Sequence, residues 1–139
     1  MSEASKKVSD VMARHPASIK VGTDITDVVD ILLRLKTTGL PVVADNRKVV
    51  GFISEQDCLR SLLVSSYHCE GSPVVEDIMH IDPYTLAAED NLVDVANLMI
   101  MQKPKIYPVV DDSGNLVGLL TRGHVLNALK DSRQHCDAG

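Results

Sequence analysis

The sequence predicts an α/β (α+β) fold: two β-α-β-β-α units packed with pseudo-twofold symmetry into one compact module. Three observations lead there. The chain repeats itself without gaps at a shift of 67 residues, which superimposes Asp10-Val11-Met12 on Asp77-Ile78-Met79, Pro41-Val42-Val43 on Pro108-Val109-Val110, and Val50-Gly51 on Val117-Gly118. Aligning 8–60 with 75–127 gives 14 identities in 53 pairs, and many of the remaining pairs set apolar against apolar, so one unit has been duplicated. Within each copy the hydrophobic period changes in the same order, and a unit of about 60 residues buries too little apolar surface to stand alone.

The elements follow in order. After Pro16, residues 17–21 suit a short strand, and Thr23 is a candidate N-cap for a helix over 24–36. Ile25, Val28, Val29, Leu32 and Leu35 share one face of that helix, opposite Asp27, Asp30 and Arg34. Gly39 stops it. A continuous apolar run over 40–44, a turn at Asp45-Asn46-Arg47 and a return strand over 48–53 form a hairpin, followed by a helix over 54–64. The second copy predicts a helix over 90–102, strands over 106–110 and 116–120 around the turn Asp111-Asp112-Ser113-Gly114, and a last helix over 121–130. The domain reading is therefore a first repeat at 8–64, a polar linker at 65–73, a second repeat at 74–130 and a tail at 131–139 expected to be disordered.

Composition narrows the function classes. With 45% hydrophobic residues in 139, there is no run near the roughly 18 apolar residues that span a bilayer, and the start MSEASKKVSD has no apolar signal core. A cytoplasmic protein without a membrane partner is expected. The net charge of −5, with no block of Lys or Arg, argues against nucleic acid. Cys58, Cys69 and Cys136 are odd in number and unpatterned, which suits free thiols and not zinc. His68-Cys69-Glu70 and His135-Cys136 lack a second ligand set at metal spacing, so no metal is expected.

The chemistry concentrates where a strand runs into a helix. In Gly51-Phe52-Ile53-Ser54-Glu55-Gln56-Asp57 a hydroxyl sits at the junction and a carboxylate follows three residues later; Gly118-Leu119-Leu120-Thr121-Arg122-Gly123-His124 echoes it. Ser or Thr there can cap the helix, and residues three apart share a side of the helix start near its positive dipole end. An isolated S-x-x-D is usually only a cap. Here it occurs twice, in register.

Taken together, a duplicated β-α-β-β-α unit with D-[VI]-M ahead of a Pro, x-P-V-V before an Asp turn, and V-G-φ-φ-[ST]-x-x-[DH] at its end resembles a tandem pair of CBS domains, or Bateman module, over about 8–130. No enzyme domain is left over, so the resemblance is to a stand-alone pair. It implies regulation by an adenosine-containing ligand (AMP, ADP, ATP or S-adenosylmethionine) in clefts between the repeats, with no required cofactor, together with homodimerisation and an unknown regulated protein. It also implies that Asp57 accepts from the ribose hydroxyls while Ser54 helps hold ribose or phosphate, which suits a carboxylate facing a vicinal diol.

On this resemblance the competent site joins Ile53, Ser54 and Asp57 to the second repeat's Met79, His80, Pro83, Tyr84 and Thr85, and to Lys105, Ile106, Tyr107 and Pro108. Solvated Lys105 and core-packed Tyr107 are the plainer alternatives. The other site sets Leu120, Thr121 and His124 with Met12, His15, Ala17 and Ser18, and with Thr38, Gly39 and Leu40. Arg14 and His15 leave an anion conceivable there. His124 stands where the family pattern has Asp, and a neutral imidazole offers one acceptor, so this site is expected to be degenerate. Two further functions compete with sensing. A dimerising scaffold that no longer binds ligand is favoured by His124 and opposed by Asp57; an enzyme is disfavoured, since no nucleophile triad, P-loop or dinucleotide fingerprint is present and no catalytic residue is assigned.

Overall fold

The computed structural model describes residues 6–68, 73–102 and 104–138, and these form two compact units. One is Ala17–Pro83; the other joins the segment ending at Pro16 to the chain from Tyr84 onward. The fold is mixed α+β with the β-α-β-β-α order present twice.

In Ala17–Pro83, β2 (Ile19–Lys20) leads to α2 (Ile25–Leu35), the hairpin β3 (Gly39–Val43) and β4 (Val49–Ser54), and α3 (Glu55–His68). A 3-10 turn at Val75–Asp77 then precedes β5 (His80–Ile81). The sheet order is β2-β3-β4-β5, with β2 parallel to β3 and the other two pairs antiparallel. The cap of α2 is Asp24 and not Thr23: the Asp24 carboxylate accepts from the Thr26 N–H at 2.9 Å, while the Thr23 hydroxyl donates back to the Lys20 carbonyl at 2.6 Å. Ile25, Val28 and Leu32 turn inward, as the helical period requires. All five residues of β3 are buried, which is why its sequence reads as an unbroken apolar run. Pro41 is tolerated inside it because β2 pairs only with Val42 and Val43, so beside Pro41 that flank has no ladder to interrupt.

The other unit contains α1 (Val8–Val11), β1 (Ala13–Arg14), β6 (Leu86–Ala87), α4 (Leu92–Met101), β7 (Ile106–Val110), β8 (Leu116–Thr121) and α5 (Arg122–Ala138). Its sheet order is β1-β8-β7-β6. Asn91 caps α4 by accepting from the Val93 and Asp94 N–H groups. The core is aliphatic around one aromatic: Leu92, Val95, Met99, Val109, Leu120 and Val125 surround Tyr107.

Both hairpins carry a register shift at the same place, Val42/Val43 and Val109/Val110. A bulge repeated in both copies is a built feature of the hairpin. The edge strands β1 and β5, two residues each, are absent from the sequence expectation. They lie just past D-[VI]-M, and each pairs with the hairpin of the opposite sequence repeat: β1 with β8, and β5 with β4. Helix α3 runs to His68, into the segment expected to be linker, and α5 runs to Ala138 through most of the expected disordered tail. Residues 69–72 of that linker lie outside the described residues, as does Gly139. No helix among the described residues is long and apolar enough to cross a membrane.

Candidate functional site

Strand β4 delivers Ser54 to the mouth of α3, and the cap that forms there orients Asp57. The Ser54 N–H and hydroxyl both donate to Asp57 Oδ2, at 3.0 and 2.9 Å, and the Asp57 N–H donates back to Ser54 Oγ at 3.2 Å. This is a reciprocal capping box with a carboxylate one turn in. The next N–H of the helix start, from Glu55, reaches the Thr38 carbonyl at 2.9 Å. Oδ2 is thus committed to the fold, and Oδ1 is the oxygen left for other work.

Two nitrogen groups attend Oδ1. Arg60 Nη1 lies 3.4 Å from it, one turn further along α3, and His80 Nε2 lies 3.2 Å from it across the β4–β5 ladder, an ion pair when the imidazole is protonated. Among the described residues Asp57 is the one charged side chain in the buried class, at 4% exposure. Its covers are the opposite: the side chains of His80 and Arg60 are 70% and 71% exposed. The cover therefore consists of solvent-exposed side chains, whereas the carboxylate is buried and held by the helix cap. Burial pushes the neighbouring Cys58 thiol up from its ordinary value, and the negative charges of Asp57 and then Glu55 push it further. Cys58 is a protonated packing residue and not a nucleophile.

The equivalent point of the other unit has the same backbone and a different head group. The Thr121 N–H donates to His124 Nδ1 at 3.1 Å, and the His124 N–H donates to Thr121 Oγ1 at 3.1 Å. Since Nδ1 accepts, the neutral ring carries its proton on Nε2. Asp57 offers acceptors; His124 offers a donor. The repeat also places Ala13 where the other copy has His80, so β1 brings no imidazole to this position. Arg122 N–H bonds the Lys105 carbonyl at 3.1 Å, as Glu55 bonds that of Thr38.

The remaining sequence-assigned residues divide between the units. With Asp57 in Ala17–Pro83 lie buried Ile53, Met79 against Gly51, half-buried Pro83 and Ser18, exposed Ala17, and the Gly39 and Leu40 of β3. With His124 lie buried Leu120 and Pro108, half-buried Ile106 and Thr85, exposed Lys105, Tyr84 and His15, and Met12 against Gly118. Tyr107 is fully buried, edge-on to Tyr84 with ring centroids 6.1 Å apart, and its hydroxyl has no hydrogen-bond partner among the described residues. Burial pushes its phenol up, Tyr84 adds to that, and Arg122 opposes it. Arg60 was missed by the sequence reading; its position three residues after Asp57 on a helix was the available signal.

A concave feature lies wholly in the His124 unit. It is a groove of about 710 Å³ between α4 and α5, walled by Met99, Ile100, Leu126 and Leu129 and ending at Lys105 and Thr121. No group of three or more metal-ligating side chains occurs among the described residues.

A duplicated α+β unit whose copies each end a hairpin in a hydroxyl-capped helix defines a tandem-repeat module with one polar head group per copy. The CBS domain family matches residues 8–64 and 75–131, and the chain belongs to that family as a tandem pair, a Bateman module. It is 31% identical over 139 aligned residues to the chloroplastic CBS domain-containing protein CBSX2 of Arabidopsis thaliana, covering 79% of this chain and 57% of that protein's length. A crystal structure of CBSX2 in complex with AMP superimposes with a TM-score of 0.80 at 34% identity, covering 91% of this chain and 98% of that one. The CBS domain pair of protein MJ0100, in complex with 5′-methylthioadenosine and S-adenosyl-L-methionine, shares the fold at a TM-score of 0.78 and 24% identity, over 91% and 98% of the two chains.

Proposed function

We propose that this CBS pair is a regulatory module that senses an adenosine-containing ligand, AMP, ADP, ATP or S-adenosylmethionine, and passes the result to a protein partner. One observation carries the reading. A buried carboxylate is held by its own helix cap with one oxygen, Oδ1, turned to removable side chains. Such an oxygen accepts from a sugar diol through charge-assisted bonds once its covers turn outward. That CBSX2 has been solved with AMP supports the same ligand class. The protein acts by binding and not by catalysis, in the cytoplasm, with sequence repeats at 8–64 and 74–130.

A ligand that prefers the folded protein raises its melting midpoint by mass action. In a thermal-shift panel of AMP, ADP, ATP, S-adenosylmethionine, NADH and cyclic dinucleotides, at least one adenosine compound raises the midpoint. Asp57→Ala abolishes that rise and His124→Ala leaves most of it. Equal loss in both variants would reassign the site.

Homodimerisation belongs to the same proposal. Leu59 and Leu63 of α3 are 61% and 64% exposed, and Ile100 and Leu126 beside the α4–α5 groove are 81% and 68% exposed, apolar surface that a second copy would cover. A dimerising scaffold without ligand is the alternative, favoured by His124 in place of the second carboxylate and by the contacts of Arg60 and His80 with Asp57. A panel with no response, combined with a dimer in sedimentation, selects it.

A further inference from the structure

We propose that Arg60 and His80 are the specificity-determining residues of the Asp57 site, and that they select a nucleoside carrying a 5′-phosphate over an uncharged nucleoside. The inference rests on the adenosine reading above and deepens it to the charge of the ligand.

The argument is one of exchange. Asp57 Oδ2 is occupied by the N–H and hydroxyl of Ser54, bonds that also build the start of α3, so a ligand cannot take them without unmaking the helix cap. Oδ1 is the available acceptor, and it faces Arg60 Nη1 at 3.4 Å and His80 Nε2 at 3.2 Å. A sugar diol that donates both hydroxyls to Oδ1 takes the places of both groups, since one carboxylate oxygen offers two lone-pair sites. The diol is neutral; the guanidinium among the displaced groups is a cation. Adenosine thus exchanges a charged neighbour of a buried carboxylate for an uncharged one. A nucleoside monophosphate brings its own compensation: the displaced guanidinium and the His80 N–H meet a phosphate tethered to the same sugar, and guanidinium–phosphate pairing is geometrically favourable.

Both side chains are positioned for such a move. Each is about seven-tenths exposed, so little of either side chain is buried against the fold. Arg60 stands one turn above Asp57 on α3, and His80 lies on edge strand β5, so they flank the carboxylate from two different elements. A sulfonium such as that of S-adenosylmethionine would bring a further positive charge toward the freed Arg60. The other unit lacks this arrangement: it has His124 in place of the carboxylate and Ala13 in place of His80.

Isothermal titration of the whole chain with AMP, adenosine and 5′-methylthioadenosine tests the proposal, using the wild type, Arg60→Ala, Arg60→Lys and His80→Ala, with circular dichroism melts to establish folding. The wild type is expected to bind AMP at least about tenfold more tightly than adenosine, the equivalent of one charge-assisted contact. Arg60→Ala and His80→Ala should each shrink that ratio by weakening AMP while leaving adenosine unchanged or tighter, since less must be displaced. Arg60→Lys should recover part of the AMP preference. Equal wild-type affinity for AMP and adenosine overturns the inference while the adenosine reading stands. So does a loss of both ligands by the same factor in Arg60→Ala. Binding of none of the three compounds overturns the reading and the inference together.

Discussion

The sulfur of Met79 lies in the space that a side chain on Gly51 would need, and Met12 stands in the same relation to Gly118. The backbone closes in as well: a Cβ at Gly51 would lie 2.8 Å from the His80 carbonyl oxygen, and one at Gly118 would lie 3.0 Å from that of Ala13. These glycines let β5 and β1 approach their hairpins. Gly51→Ala and Gly118→Ala should each cost about 1–3 kcal/mol in urea unfolding, the usual range for overpacking. Trimming Met79 should rescue Gly51→Ala only in part, because the carbonyl remains. Gly123, whose Cβ would meet nothing nearer than 3.6 Å, is the control and should tolerate Ala without loss.

The Tyr107 hydroxyl finds no hydrogen-bond partner among the described residues inside an aliphatic core, where a polar group without a bond is a cost. Tyr107→Phe should leave stability unchanged or raise it by up to about 2 kcal/mol. The phenol is held above its ordinary value by burial, so its contribution to stability is complete below the unfolded-state value and lost as pH rises through the folded one. Unfolding measured across the alkaline range should show a shallower decline in Tyr107→Phe.

Cys58 is 4% exposed with its thiol pushed up by burial and by Asp57. In a Cys69→Ser/Cys136→Ser background it should resist iodoacetamide in buffer at mildly alkaline pH and react fully in urea. Rapid labelling of the native protein would contradict its placement.

Arg47 occupies the left-handed region at φ 68°, and its repeat counterpart is Gly114 at φ 86°. A left-handed residue with a side chain costs about 1–2 kcal/mol, against about 0.5–1 for the extra chain entropy of glycine. Arg47→Gly should therefore stabilise by up to about 1 kcal/mol in chemical denaturation. Destabilisation would mean that the Arg47 side chain makes a contact worth more than the strain.

What could be read from sequence were the features set by local pattern. The 67-residue repeat, the apolar hairpin strands and the Ser54–Asp57 cap depend on neighbours within a turn or a strand, and the reading found them. The sequence pattern points to Thr23 as cap and the structure has Asp24: both residue types favour that position, and only the Asp24 side chain accepts from the helix. The approach of His80 to Asp57 had no local signature: a helix, a linker and a 3-10 turn separate them, and a two-residue strand is too short to show a period. Helix α5 passed its expected end because a polar segment around Asp131 and Arg133 gives no apolar face by which to judge its length.

The crossing of the short edge strands reaches beyond geometry. Sever the chain within the linker and the amino-terminal piece keeps β2, β3 and β4 but surrenders the strand bearing His80; the carboxy-terminal piece keeps β6, β7 and β8 but surrenders the strand bearing Ala13. Each fragment would then hold the complement the other lacks, and a nick there would leave the pieces clasped by reciprocal pairing.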